Sequence, residues 1–133
     1  MNLDKKNKIE EWLSYAKDDL YSAEHFFKTM EIPVYRVVCF NAQQSAEKYL
    51  KAYQIYFEIE IIKTHSLETL INSIKSFDEE IIQLENDSIL LTKYSVKYRY
   101  PDDFVDLTKD DAEDSINIAK QIQKFITQKI IFK

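Results

Sequence analysis

Residues 40–53 read FNAQQSAEKYLKAY, and this is the first of two informative stretches in the chain. Apolar and small residues recur in it at three- and four-residue steps, which is the spacing of an α-helix with one buried side. The helix is predicted to run over residues 34–58. Its buried line consists of Val38, Ala42, Ala46, Tyr49 and Tyr53, with Leu50 and Phe57 beside it.

The opposite side of the same helix is polar. It carries Asn41, Gln43, Gln44, Glu47, Lys48 and Lys51. One interpretation is a solvent-exposed helix surface, on which the Glu47–Lys51 pair contributes only ~0.2–0.5 kcal/mol. The other is a polar face for a ligand or for a second copy of the chain. Phe40 falls inside this arc, where it is either a chance exposed residue or part of a second contact surface.

Further helices are predicted around this one. Apolar spacing indicates a helix over residues 5–30, one that opens at residues 64–66, one over residues 79–98 and one that begins after residue 108. The chain has no glycine and only two prolines, and tight β-hairpins depend on glycine. The sequence therefore predicts an all-α protein, an antiparallel up-and-down bundle of four to five helices that forms one domain over residues 1–133.

The last two helices carry the clearest local signals. Thr108 and Asp111 are spaced as a capping box, with Asp in place of the usual Glu. The helix that follows is expected to bury Ala112, Ile116, Ala119, Ile122, Ile126 and Ile130. The helix before it is expected to bury Ile82, Ile89, Leu90, Tyr94 and Tyr98 or near neighbours.

Composition excludes several function classes. Eighteen basic and 23 acidic residues give a net charge of −5, which argues against bulk nucleic-acid binding but leaves room for a local basic patch. The single cysteine, Cys39, rules out an internal disulfide and is expected to be a small core residue. No apolar run reaches the ~20 residues that cross a bilayer. The first residues lack the apolar core of a signal peptide, so the cytoplasm is the expected compartment.

A second informative stretch, residues 93–100, reads KYSVKYRY and stops at Pro101. It gathers basic and phenolic side chains at a helix end. The guanidinium of Arg99 can hold a phosphate through two parallel N–H bonds, and tyrosine rings can stack on a base. The proposed ligand set here is Tyr94, Lys97, Tyr98, Arg99 and Asp102. The alternative is that Arg99 pairs with a nearby aspartate and the tyrosines belong to the core.

Other candidate groups have weaker support. His65 can transfer protons near neutral pH, but a lone histidine at a helix start is more often a cap or a packing residue. The two histidines lack metal-ligand spacing. Asp102, Asp103 and Asp106 can bind a hard cation in principle, although a solvated acidic loop explains them better. The sequence therefore indicates no metal site and no cofactor.

Several motifs occur in a recognisable order. They are Trp12 with Ala16 and Asp19-Leu20, residues 40–52, Thr64-His65-Ser66-Leu67, and Tyr94 through Arg99-Tyr100-Pro101-Asp102. Together they cover residues 9–128 and resemble the HEPN domain family (higher eukaryotes and prokaryotes nucleotide-binding). The resemblance implies a helical bundle, usually a homodimer, and in prokaryotes often a minimal nucleotidyltransferase encoded beside it, as in toxin–antitoxin pairs.

The resemblance also implies a test for enzymatic activity. Many members are metal-independent ribonucleases that carry an arginine, four to six variable residues and a histidine. Arg99 matches the arginine, but no histidine follows His65 anywhere in the chain. The leading hypothesis is therefore a non-catalytic module that binds a nucleotide, an RNA or a partner nucleotidyltransferase. Its candidate residues are Arg99 with Tyr98, Lys97, Tyr94 and Asp102, together with Asn41, Gln44, Glu47, Lys48, Lys51 and His65.

Two alternatives stay open at this point. One is a ribonuclease in which His65 or Tyr100 replaces the missing histidine and Arg99 steadies the charge on the phosphate. The other is a purely structural dimerisation domain, which would bind no nucleotide.

Overall fold

The computed structural model describes residues 1–99 and 106–132, with side chains given for 1–94 and 106–132. All regular elements in these ranges are helical, which confirms the all-α prediction. The five α-helices are α1 (Leu3–Thr29), α2 (Tyr35–Tyr56), α3 (Leu67–Ile74), α4 (Glu85–Arg99) and α5 (Lys109–Lys129), and a 3₁₀ segment spans Glu79–Leu84. Among the described residues, each helix is either too short or too polar to traverse a lipid bilayer.

Helix α2 is the centre of the bundle. It packs against α1, α3, α4 and α5, and 12 of its 22 residues are buried. Small residues allow close approach: Ala42 and Ala46 of α2 and Ala16 of α1 are fully buried. The hydroxyl of Ser45 donates to the carbonyl of Ala16 at 2.7 Å, which satisfies a polar group inside the α1–α2 contact.

The end of α2 sends the chain back along the bundle without a glycine. The N–H of Ile59 donates to the carbonyl of Gln54 and the N–H of Glu58 to that of Ile55, each at 2.9 Å, which is the Schellman pattern. Glu58 adopts the left-handed region this pattern requires, with φ 59°. The segment after it returns toward the middle of α2, so α3 runs parallel to α2 and antiparallel to α4.

The predicted core of α5 is confirmed and that of α4 is partly wrong. All six apolar residues predicted for α5 are buried, and Thr108 and Asp111 form the capping box. The predicted helix over 79–98 is split, because residues 79–84 wind as a 3₁₀ segment with a three-residue period. The buried side chains there are Ile81 and Leu84, whereas Ile82 and Leu90 are exposed.

Replacing Glu58 with glycine should stabilise the protein. Glycine adopts positive φ without the clash that a side chain causes, so we expect Glu58→Gly to raise the free energy of unfolding by about 0.5–1 kcal/mol, measured by urea denaturation. Its ion pair with Lys5, 3.8 Å long and exposed on the Glu58 side, offsets little of this gain.

Glu60→Gly is the matched control, since Glu58 is the one non-glycine residue with positive φ in the described part of the chain. The control should leave stability unchanged or lower it. Equal stabilisation by both substitutions would show that the turn is not strained.

Candidate functional site

The predicted polar arc of α2 is not a solvent-exposed surface, because Gln43 and Glu47 are buried and its other four residues are half-buried. Gln43, Glu47 and Lys51 follow one another at four-residue steps, so they lie along one side of α2. The segment before α3 covers this side, and the side-chain amide of Gln43 donates to the carbonyl of His65 at 2.9 Å. We call Gln43, Gln44, Glu47, Lys51 and His65 the α2 polar cluster.

Glu47 is the centre of the cluster. Its Oε1 lies 2.9 Å from Nδ1 of His65, and its Oε2 accepts from the ammonium of Lys51 at 3.0 Å. The Glu47 side chain is only 5% exposed and that of Lys51 only 12%. The solvent-exposed interpretation of this pair is therefore wrong. Lys51 also lies 5.6 Å from the centre of the Trp12 ring, which links the cluster to α1.

His65 is held at one nitrogen and accessible elsewhere. Its side chain is 59% exposed although Nδ1 bonds the buried carboxylate. A carboxylate paired with a lysine only accepts, so Nδ1 carries the donated proton and Nε2 remains for another partner. His65 is neither a cap nor a core residue: the N-cap of α3 is Ser66, whose hydroxyl accepts from the N–H of Thr69 at 3.2 Å.

The remaining polar residues of α2 separate into two groups. The amide of Gln44 donates to Oε1 of Gln43 at 3.3 Å and so joins the cluster. Lys48 points away from it and pairs with Asp19 of α1. Asn41 and Phe40 are half-buried. The structure therefore brings together Gln44, Glu47, Lys51 and His65 from the predicted set and places Lys48 in a different contact.

Tyr94 lies in the core and not at a ligand-facing surface. It is 6% exposed, and its hydroxyl donates to Oδ1 of Asp111 at 3.3 Å. Burial, and then the charge of Asp111, raise the pKa of Tyr94 to about 12. Stacking of this ring on a base, as predicted from the sequence, is corrected to core packing, because Tyr94 belongs to the buried core.

The other proposed ligands at the end of α4 lie outside the described residues. These are the side chains of Lys97, Tyr98 and Arg99, and Asp102 with its neighbour Asp103. The backbone of α4 nevertheless has a defined course. Leu67 lies two residues after His65, and its N–H donates to the hydroxyl of Thr92 in α4 at 3.2 Å. At 1.5 Å per residue, α4 ends at Arg99 about 10 Å further along the bundle.

Sequence reasoning misses two members of this arrangement. Gln43 belongs to the predicted polar arc but not to the predicted site, although its four-residue spacing from Glu47 is a usable signal. Trp12 fits the apolar stripe of α1, so its position in the sequence indicates core packing and no role in a site. Its contact with Lys51 joins two different helices, and no local pattern reports such a contact.

The described side chains offer no metal centre. No group of three His, Cys, Asp or Glu within residues 1–94 and 106–132 could hold a metal ion. Cys39 is fully buried, as expected. Burial raises the pKa of its thiol to about 11, so the thiolate needed for nucleophilic chemistry is scarce at neutral pH.

Comparison with known proteins identifies the family. The sequence model of the HEPN domain matches residues 9–130. The chain belongs to the HEPN domain family. This HEPN domain is similar to the crystal structure of TT1696 from Thermus thermophilus, at 26% identity and a TM-score of 0.82, with 93% of this chain and 99% of that one covered.

A second solved structure, ST0689, is described as an archaeal HEPN homologue. It is also 26% identical, with a TM-score of 0.74 and coverage of 92% of this chain and 98% of that one. No curated protein sequence matches the chain.

Removal of the Glu47 carboxylate should destabilise this HEPN domain strongly. Glu47→Ala leaves the Lys51 ammonium nearly buried without its anion, and breaking one partner of a buried pair costs about 3 kcal/mol. We expect a loss of that size in urea denaturation. Lys48→Ala is the control, since its pair with Asp19 is about one-quarter exposed on both sides and should cost less than about 1 kcal/mol. Equal small losses would show that Glu47 is solvated.

Proposed function

We propose that residues 1–133 form one HEPN module that binds a nucleotide, an RNA end or a partner nucleotidyltransferase and does not itself cleave RNA. The observation that carries this proposal is the family signature with Arg99 present and no histidine after it. A general acid or base must lie within hydrogen-bond reach of the proton it transfers. With the expected histidine missing, Arg99 is left as a group that binds phosphate rather than one of a catalytic pair.

The α2 polar cluster supports a binding role beside that helix end. Hydrogen bonds to the buried Glu47 carboxylate fix this group and the Nδ1 side of His65 in place, while the His65 ring is mostly exposed. A partly exposed imidazole held by a rigid network loses little conformational entropy when it meets a partner, which favours recognition.

The proposed partner is a separately encoded minimal nucleotidyltransferase, in a pair of the toxin–antitoxin type, and the proposed assembly is a homodimer. Both ideas rest on what is common among prokaryotic members of the family. The open reading frame beside this one is the simplest test, because a small nucleotidyltransferase encoded there supports the proposal directly.

Changing Arg99 should weaken binding. We expect Arg99→Ala to lower the affinity for AMP, for a short RNA or for the transferase about tenfold in calorimetric titration, since a charge-assisted bidentate contact is lost. Arg99→Lys should restore only part of the affinity, because lysine lacks the planar fork. Lys75→Ala, an exposed lysine on the segment after α3, is the control for loss of one positive charge. Unchanged binding in Arg99→Ala removes this arginine from the proposal.

A second candidate function is endoribonuclease activity with His65 in the acid–base role. The observation in its favour is the contact of His65 Nδ1 with the buried Glu47 carboxylate, at 2.9 Å. This arrangement orients an imidazole for proton transfer at its other nitrogen. Arg99 would then stabilise the charge that develops on the phosphate.

An RNA cleavage assay separates the two functions. The binding module predicts no cleavage with or without EDTA. Under the ribonuclease hypothesis, cleavage persists in EDTA and falls at least about a hundredfold in His65→Gln, the range given by loss of a general acid or base. His25→Gln is the matched control, because His25 is the other histidine and stacks on Tyr21 on the exposed side of α1, 5.7 Å between ring centres.

A further inference from the structure

The connection between α2 and α3 runs along the outside of the bundle as an extended chain. The N–H of Ile59 donates to the carbonyl of Gln54 at 2.9 Å. Six residues later, the carbonyl of His65 accepts from the side-chain amide of Gln43, also at 2.9 Å. Gln43 and Gln54 are eleven residues apart, which is about 16 Å along a helix. Each step from Ile59 to His65 therefore covers about 2.7 Å, which is closer to the ~3.3 Å of a β-strand than to the ~1.5 Å of a helix.

The backbone of this connection has open hydrogen-bonding positions. The N–H and C=O groups of residues 60–64 form no hydrogen bond with any other residue that the structure describes. Ile61 and Ile62 are 41% and 39% exposed, and Glu60 and Lys63 on either side of them are exposed as well. An extended, β-branched and accessible backbone is the template to which another strand can pair. We call residues 59–64 the edge segment.

A cavity of about 570 Å³ lies beside the edge segment. Its apolar lining consists of Trp12 of α1, Ile55 of α2, and Ile59 and Ile61 of the edge segment. The first three pack against the core, so this apolar surface is already in place before a partner arrives. Side chains alternate along a strand, so every second residue of an added strand points toward the cavity. The cavity can therefore take an apolar side chain of that strand.

The charges along the edge segment indicate what the added strand carries. Four of the five charged residues that line the cavity form ion pairs with one another, Lys5–Glu58 at 3.8 Å and Lys8–Asp4 at 3.5 Å. The fifth, Glu60, has no ion-pair partner in residues 1–94 and 106–132, and neither has Lys63 in the same part of the chain. A strand that places a basic residue opposite Glu60 and an acidic residue opposite Lys63 satisfies both charges.

A second copy of the chain does not supply this charge pattern. Two copies of one segment pair antiparallel about a twofold axis perpendicular to the sheet, and residues that lie opposite each other then share a face. Glu60 and Lys63 are an odd number of positions apart, so they lie on different faces. Glu60 of one copy therefore cannot lie opposite Lys63 of the other, and the charges favour a different polypeptide.

We propose that the edge segment binds an extended segment of a partner protein by β-strand addition. The partner strand runs antiparallel, with a basic residue opposite Glu60, aliphatic residues opposite Ile61 and Ile62, and an acidic residue opposite Lys63. The aliphatic side chain opposite Ile61 enters the cavity, because cross-strand neighbours share a face. Main-chain hydrogen bonds give the affinity and the side chains give the preference. This surface goes beyond the proposed function, since it requires neither Arg99 nor a nucleotide.

NMR titration of the full isotope-labelled chain with the peptide acetyl-TTEVLKTT-amide tests this proposal. Bound peptide should slow amide hydrogen exchange in residues 60–63 at least about tenfold, because strand pairing protects these amides. The peptide N-methylated at valine and leucine should bind at least about tenfold more weakly, since one of the two lost N–H groups faces the edge segment. Replacing the leucine with alanine should weaken binding more than replacing the valine, because only the leucine faces the cavity.

A charge exchange tests the register of the pairing. Glu60→Lys should bind this peptide about tenfold more weakly, since an attraction becomes a repulsion. The same variant should bind the peptide with glutamate in place of its lysine as tightly as the unchanged protein binds the original. Glu113→Lys, which alters an exposed glutamate of α5, is the matched control and should leave both affinities unchanged.

Three results overturn the edge-segment site: no binding of the peptide, binding without protection of residues 60–63, or equal effects of Glu60→Lys and Glu113→Lys. Protection that appears without peptide and rises with protein concentration shows a second copy at this edge, and it overturns the proposal too. Arg99→Ala should leave peptide binding unchanged, so a failure of this site and a failure of the proposed function are distinguishable.

Discussion

The buried carboxylate of Glu47 holds α2 and the segment before α3 together. An ionised group inside a helical bundle is costly unless charged and hydrogen-bonding partners surround it. Lys51 supplies the charge from the next turn of α2, at 3.0 Å, and His65 supplies the second bond, at 2.9 Å. His65 belongs to a different part of the chain, so satisfying Glu47 requires the segment before α3 to lie against α2. The contact that stabilises the Glu47 carboxylate therefore also fixes the position of the exposed His65 imidazole.

The turn after α2 makes this contact geometrically feasible. Glu58 takes a positive φ where glycine is usual, and the chain then reverses so that His65 meets Gln43 and Glu47 from outside the helix. The backbone strain at Glu58 is thus compensated by the contacts that His65, seven residues further along the chain, makes with Gln43 and Glu47. Backbone strain of this kind persists when surrounding contacts over-determine it, and here the strained turn and the network belong to the same connection.

Residue spacing predicts the features that depend on helical periodicity. It misses the features that depend on packing by distant parts of the chain. The core of α5 and its capping box follow from spacing alone. The buried side of the segment over residues 79–98 does not follow from spacing alone. Its first six residues form a 3₁₀ helix with three residues per turn, which buries Ile81 in place of Ile82. Amphipathic spacing makes the polar arc of α2 look like a surface, since it cannot reveal that the segment before α3 covers part of this arc. Only long-range contacts, such as that of Gln43 with His65, bury Gln43 and Glu47 and join them in one network.

Charge limits what this HEPN domain can recognise. With 23 acidic against 18 basic residues, the long-range field repels polyanions, so affinity for nucleic acid must come from a few local cations. The cation proposed above for phosphate binding is Arg99, at the end of α4. Counterion release from a single phosphate contact is small compared with that of a duplex-binding protein. If the proposed binding function holds, recognition therefore rests on local contacts at a nucleotide or a strand end, and not on attraction to a long backbone.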